Sequence, residues 1–177
     1  MKITFLGTGT SQGVPVIACE CKTCSSPDPL DKRLRTSLLL EVSGKILVFD
    51  AGPDFRQQML RENVKNLDAI ILTHEHKDHI SGMDDVRAFN YKSKDAIDIY
   101  AEDRVQKAVK QEYSYVFAEY QYPGIPKMRL NNISEYDFKI GPVSVTPLRV
   151  FHYRLPVLGF RIENFAYITD ANYIPEE

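Results

Sequence analysis

The chain of 177 residues has no tryptophan, no excess of either charge, and no apolar stretch approaching the roughly 18 residues of a membrane span. Its 22 Lys+Arg against 24 Asp+Glu leave a net charge of -2, which excludes a bulk-basic nucleic-acid binder and a disordered polyelectrolyte. An anionic partner must therefore be recognised locally. Met1-Lys2-Ile3-Thr4-Phe5-Leu6 runs straight into a Gly/Thr loop, not into the apolar centre and cleavage site of a signal peptide, so a soluble cytoplasmic protein is expected. Cysteine is scarce and odd in number. Cys19, Cys21 and Cys24 lie within six residues, a poor disulfide framework but one that suits metal ligation in a reducing compartment. Repeats, low-complexity tracts and Ser/Gly linkers are lacking as well, and at about 150 residues per domain the expectation is one domain over 1–177. An apolar content of 44% is enough for a single sizeable core.

Apolar runs bounded by turn residues predict strands at 2–6, 36–42 and 45–49, the last two joined as a hairpin at Ser43-Gly44. Pro53 opens a predicted helix to Asn63, with Phe55, Met59 and Leu60 on one face. A buried strand follows at 68–73, then a short helix at 82–89, a strand end at 98–101 and a helix at 104–117. From Phe138 the pattern turns to strands again: 143–150, 157–162 and 165–169. Without regular βαβα alternation this predicts an α+β fold with largely antiparallel pairing. Tyr113, Tyr115, Tyr120 and Tyr122, with Phe117 among them, are expected to form an amphipathic rim for substrate or for a dimer contact, core packing being the alternative.

The chain has only four histidines, and three lie in Thr73-His74-Glu75-His76-Lys77-Asp78-His79, directly after the buried run Ala69-Ile70-Ile71-Leu72. In an extended segment residues two apart share a face, so His74 and His76 present two imidazoles together while Glu75 and Lys77 point away. Asp78 and His79 could reach a second position beside the first if the chain turned into a helix beginning at Ser81-Gly82. Two positions imply two metals. Imidazoles with a carboxylate suit Zn, Mn or Fe, and the helical zincin pattern is not met, because Asp78 stands where it needs His. The plain alternative is a polar surface loop that happens to be rich in histidine.

His-x-His-x-Asp-His at the end of a buried strand resembles the signature of the metallo-β-lactamase superfamily. The resemblance implies a four-layered αββα sandwich with a metal site at one edge. Val48-Phe49-Asp50-Ala51-Gly52 is similar to the family's strand-end Asp-x-Gly, which implies that Asp50 orients ligands without binding metal. Phe151-His152 resembles the third His of the first metal site, and Tyr167-Ile168-Thr169-Asp170 the strand ending in the carboxylate shared by both metals. Each of these three is weak alone, since a lone His or Asp after a strand is more often a packed, turn or capping residue. Their order behind His74 to His79 gives them weight.

Gly7-Thr8-Gly9-Thr10-Ser11-Gln12-Gly13 follows a strand, but its spacing and the following Val14-Pro15-Val16 do not fit a dinucleotide-binding turn. A loop whose glycines let backbone approach a metal edge is the better reading. Cys19-x-Cys21-x-x-Cys24 can wrap one tetrahedral ion, which needs a fourth ligand; three free thiols are the alternative. Together the loop and the cysteines resemble the branch that contains the cyclic-phosphate phosphodiesterase of the carbon-phosphorus lyase pathway. That resemblance implies a structural zinc at Cys19, Cys21 and Cys24, completed by a late His. It also implies a further His for the second catalytic ion, whereas the four histidines are all assigned and the sequence stops at Ile174-Pro175-Glu176-Glu177, where Pro followed by two acids is a helix-opening signal. The reading is therefore of a domain whose C-terminal part is missing.

The expected function is that of a dinuclear metal-dependent hydrolase, most simply a phosphodiesterase for a small cyclic or nucleotide-like diester. His74, His76 and His152 are expected on the first ion, Asp78 and His79 on the second, with Asp170 bridging. Two divalent ions, Zn or Mn, would supply an acidified water as nucleophile and clamp a phosphate oxygen; the leaving-group acid is unassigned. Tyr153 and Arg154 are candidates for the substrate rim. A nuclease of the tRNA-maturation kind is a second reading, weakened because Lys32-Arg33-Leu34-Arg35 is the only basic run. A non-catalytic metal-binding protein is the third.

Overall fold

Runs that read as continuously apolar become strands buried on both faces. In the computed structural model, which describes residues 1–176, β1 (Lys2–Gly7), β2 (Ser37–Val42), β3 (Lys45–Phe49), β4 (Ala69–Ile71), β5 (Ile97–Ala101) and β6 (Met128–Asn132) form one sheet in that order. β7 (Phe138–Ile140), β8 (Val143–His152), β9 (Leu155–Ile162) and β10 (Phe165–Tyr167) form a second, ordered β10-β9-β8-β7. Side chains alternate along a strand, so Leu38, Leu40, Leu47, Phe49, Ala69 and Ile71 meet Val145, Leu158 and Phe160 of the second sheet. Leu39, Val48 and Ile70 face the other way, into helices α1 (Phe55–Arg61), α2 (Lys77–Ile80), α3 (Arg87–Ser93) and α4 (Asp103–Glu112). Those helices contribute Phe55, Met59, Ile80, Phe89, Val105 and Val109. Each fully buried Leu or Phe is worth about 1.5–3 kcal/mol relative to exposure, and the first sheet collects that on both sides. Helices, first sheet and second sheet stack as α, β and β layers of the expected αββα sandwich.

The pairing is less antiparallel than the sequence predicts. β1, β2 and β3 pair antiparallel, as do the strands of the second sheet. However, β3 with β4, β4 with β5 and β5 with β6 are parallel. Parallel neighbours need crossovers, and α1, the α2–α3 segment and α4 provide them. Two features hid this in the sequence: the helices are short, and β6 is a half-buried polar segment, Met-Arg-Leu-Asn-Asn, without a strand-like run. Helix α4 also stops at Glu112, short of the predicted 117, because Tyr113 turns into the core. Its hydroxyl donates to the Ile80 carbonyl at 2.8 Å and accepts the Met83 N–H at 3.2 Å. Tyr120 and Tyr122 are exposed and Tyr115 is partly so, and the four rings therefore do not make one rim. Among the described residues no helix is long and apolar enough to cross a membrane.

Two glycines test how tightly this frame closes. Gly82 lies under the chain leaving β3, its N–H bonded to the Ala51 carbonyl at 2.8 Å, and an added Cβ would stand 1.9 Å from the Gly52 carbonyl oxygen. Gly44, in the β2–β3 turn, has φ +75° and open space around it. Gly82→Ala is expected to destabilise the fold by about 3 kcal/mol through overpacking against backbone. Gly44→Ala is expected to cost about 1 kcal/mol, from left-handed strain alone. Urea unfolding of both variants checks the order, and equal losses would show that the Gly52–Gly82 approach is slack.

Candidate metal centre

The ends of four strands meet at one edge of the sandwich: Asp50 follows β3, His74 follows β4, His152 ends β8 and Asp170 follows β10. Main-chain bonds fix the arrangement. The Asp50 N–H reaches the Ile71 carbonyl at 3.0 Å, and the Ala51 N–H reaches the His79 carbonyl at 2.7 Å. Phe151 bridges Tyr173, with N to O at 2.9 Å, which folds the segment after Asp170 back along β8. His76 is extended and α2 begins directly after it, at Lys77. The turn therefore comes earlier than the Ser81-Gly82 start read from the sequence, and it swings Asp78 and His79 inward within α2 itself.

Two groups of ligand atoms result, His74, His76 and Asp170, and Asp78, His79 and Asp170, each with its atoms within 4.8 Å of one another. His74 Nε2 and His76 Nδ1 are 3.0 Å apart. Asp170 Oδ2 stands 3.8 Å from His74 Nε2 and 3.3 Å from His79 Nε2, and Asp78 Oδ2 is also 3.3 Å from His79 Nε2. His152 flanks the first group, its ring centre 5.5 Å from that of His76 and 6.2 Å from that of His74. A cleft of about 590 Å³ opens over them, lined also by Thr10 and Ser11 of the glycine loop and by Tyr153 and Asn172. Arg154 is exposed in the same turn and is not among the lining residues.

Asp50 is fully buried and holds the floor of the site. Its Oδ1 accepts the Thr73 N–H at 2.9 Å, and its Oδ2 lies 2.8 Å from His79 Nδ1. The Thr73 hydroxyl donates to Asp50 and leaves its oxygen 2.9 Å from His74 Nδ1. Thr73 was not singled out in the sequence, and its place in the strand run gave no signal. Burial opposes charge on His79, but Asp50, Asp170 and Asp78 outweigh it and push its pKa up to about 12. Burial first, and then the charge of His79, push His74 down to about 4. The close approach of His79 Nε2, at 3.3 Å, holds Asp170 well below the usual carboxylate range. His79 Nε2 is buried without a hydrogen-bond partner, although three carboxylates surround the ring. A nitrogen so placed fits a cation: without metal a proton balances the carboxylates, and a divalent ion could take its place. Asp50 and Asp170 both have left-handed backbone, with φ of 60° and 54°, the kind of strain that clusters at functional sites.

The sulfurs of Cys19, Cys21 and Cys24 also lie within 4.8 Å of one another, and the three are free thiols. The Cys24 N–H reaches Cys21 Sγ at 3.5 Å. That backbone bond, with help from Cys19, brings the Cys21 thiol down to about 7. The trio could hold an ion.

The two histidines set opposite limbs of a pH profile in the metal-free chain. His79, raised, stabilises fully below the ordinary imidazole value of 6.5 and progressively less as pH climbs toward about 12. His74, lowered, stays neutral in the folded chain down to about 4, so below 6.5 only the unfolded chain takes up its proton and stability falls. Maximum stability in chelator is expected near pH 6.5, with slopes of about 1.4 kcal/mol per pH unit per proton on either side. Urea unfolding from pH 4.5 to 9 measures this, and a maximum above pH 8 would contradict a charged His79. Zinc binding at the histidine–aspartate site at pH 7 is expected to release about one proton, from His79 and not His74, measurable by calorimetry in buffers of different ionisation enthalpy on a variant with Cys19, Cys21 and Cys24 replaced by Ser.

Residues 45–177 match the family described as the beta-lactamase superfamily domain. The chain is 42% identical over 179 residues to an octanoyltransferase of Porphyromonas gingivalis, covering 100% of this chain and 36% of that protein. It is 30% identical over 169 residues to a ribonuclease Z of Acaryochloris marina, covering 92% of this chain and 48% of that protein. The chain thus spans half or less of the length of these curated relatives. Among solved structures, a diphosphatase of the PhnP family superposes with a TM-score of 0.90 at 36% identity, over 98% of this chain and 66% of that chain. A family match over most of the sequence, on the layered fold already described, makes this chain a member of the metallo-β-lactamase superfamily.

Proposed function

We propose that this chain holds two divalent metal ions and hydrolyses a small cyclic or nucleotide-like phosphodiester. The observation that carries the reading is the position of Asp170, whose Oδ2 faces His79 Nε2 at 3.3 Å and His74 Nε2 at 3.8 Å, one carboxylate between two ligand groups. His74, His76, His152 and Asp170 would hold one ion; Asp78, His79 and Asp170 would hold the other. These donors suit Zn or Mn. Bound there, the ions would supply a water acidified toward neutrality and positive charge against phosphate oxygens. The protein's own part is orientation. Asp50 occupies His79 Nδ1 and leaves Nε2 directed at Asp78 and Asp170, and Thr73 occupies His74 Nδ1 and leaves Nε2 toward His76. Tyr153 lines the cleft and Arg154 stands beside it in the same turn, where both can form a substrate rim. Cys19, Cys21 and Cys24 would hold a separate structural zinc.

Likeness to a diphosphatase at 36% identity supports a phosphate-containing substrate. The ribonuclease Z relatives favour a tRNA-maturation nuclease as the second reading. Against it, the single basic run is short, three cations in four residues, and Arg35 among them is paired with Asp54 at 3.0 Å. Acyl transfer is not proposed from the Porphyromonas relative, of which the chain spans 36%.

Turnover of bis(p-nitrophenyl) phosphate and of a cyclic nucleotide, with metal content measured on the same sample, tests the reading. Asp170→Asn is expected to lower diesterase turnover by at least about 100-fold and to bring the metal content below that of the wild type by one ion or more per chain. Cleavage confined to precursor tRNA would select the nuclease, and bound metal without hydrolysis would select a binding protein.

A further inference from the structure

The candidate ligands of the first ion come from different sheets. His74 and His76 follow β4, whereas His152 ends β8, and near the site one direct main-chain bond, Leu158 N–H to the Thr73 carbonyl at 3.2 Å, joins the two layers. The first turn of α4 adds the rest of the connection. Arg104 donates through Nη1 to Glu75, the residue between His74 and His76, and through Nη2 to the Pro156 carbonyl at 2.6 Å. Pro156 sits opposite Phe151 in the β8–β9 register, one position from His152. Just before α4, Glu102 accepts from Arg149 Nη1 of β8 at 3.2 Å, a second tie between this turn and the same sheet.

Glu75 makes the link one-sided. Its Oε1 accepts from Arg104, while its Oε2 is buried with no hydrogen-bond partner. Removing the guanidinium would strip the partly buried carboxylate of its hydrogen bond. A Glu75 drawn toward water for lack of that bond would carry the loop, and with it His74 and His76. Only a planar fork can serve both acceptors at once, because a lysine ammonium is a single point at the end of a flexible stem.

We propose that Arg104 is a positioning residue, a strut between the His74–His76 loop and the hairpin that carries His152, and that it sets the affinity of that ligand group for a divalent cation. The proposal rests on the metal-site reading above.

Zinc affinities from competition with a chromophoric chelator, visible spectra of the cobalt-loaded proteins, and urea unfolding of the metal-free proteins are measured for wild type, Arg104→Met, Arg104→Lys, Glu75→Ala and the Arg104→Met/Glu75→Ala double variant. Wild type is expected to bind two ions at the histidine–aspartate site, counted apart from zinc at the cysteines. Arg104→Met and Glu75→Ala are each expected to weaken one of the two by about 10- to 100-fold, to alter its cobalt spectrum and to leave the other ion unchanged. Arg104→Lys should recover part of the loss, and the double variant should lose no more than either single one, because both cut the same strut. Glu75→Ala also removes the partly buried charge, so it keeps the test open if Arg104→Met fails to fold. Wild-type affinity for both ions in the single variants would overturn the strut alone, as would additive losses in the double variant. A wild-type protein that binds no ion would overturn the metal-site reading and the strut with it.

Discussion

The site hangs on one buried carboxylate. Asp50 has no exposure to solvent, yet it sits at the end of β3 in left-handed backbone and bonds the Thr73 N–H, the Thr73 hydroxyl and His79 Nδ1. A fully buried carboxylate is tolerable there because Thr73 and His79 supply its hydrogen bonds. Its bonds fix the end of β4, the rotation of His79 and, through Thr73, the tilt of His74. The parallel pairing of β3 with β4 is what makes this reach possible, since it brings the C-terminal ends of both strands to the same edge.

From that fixed point the electrostatics divide the histidines into two kinds. His74 is buried beside a positive neighbour and stays neutral over the physiological range, ready to donate a lone pair without losing a proton. His79 lies among Asp50, Asp78 and Asp170 and carries a proton when no other cation is present. The site is thus charged in advance for a divalent ion: Asp78 and Asp170 are held ionised, one imidazole is neutral, and a proton occupies a position that an ion can take over.

The same economy explains why both sheets are needed. One sheet supplies the His74–His79 segment and its Asp50 support; the other supplies His152 and, after β10, Asp170. The apolar layer between them, Leu38, Leu47, Phe49, Ile71, Leu158 and Phe160, sets their distance in bulk. It cannot fix the last fraction of an ångström at the edge, where packing thins out and polar ties such as Arg104 with Glu75 and Pro156 take over.

The sequence by itself determined the family resemblance, the αββα expectation and the residue types of the site. These depend on local order along the chain: four rare histidines, a strand-end Asp50, and cysteines two and three residues apart. The run Ala69-Ile70-Ile71-Leu72 also read as a buried strand, because a continuous apolar run suits a strand covered on both faces; that β2 and β3 are covered likewise came from the structure. Tertiary structure alone decided the rest. Parallel pairing follows from where short helices cross over, and β6 is a strand through its neighbour β5, not through its own polar composition. Tyr113 became a core brace and Tyr122 a surface residue on the strength of where α4 ends. Thr73, Arg104 and the charge states of His74 and His79 were invisible in the sequence, because a hydrogen bond across 29 positions or a pKa set by three carboxylates depends on distances in space that no spacing along the chain encodes.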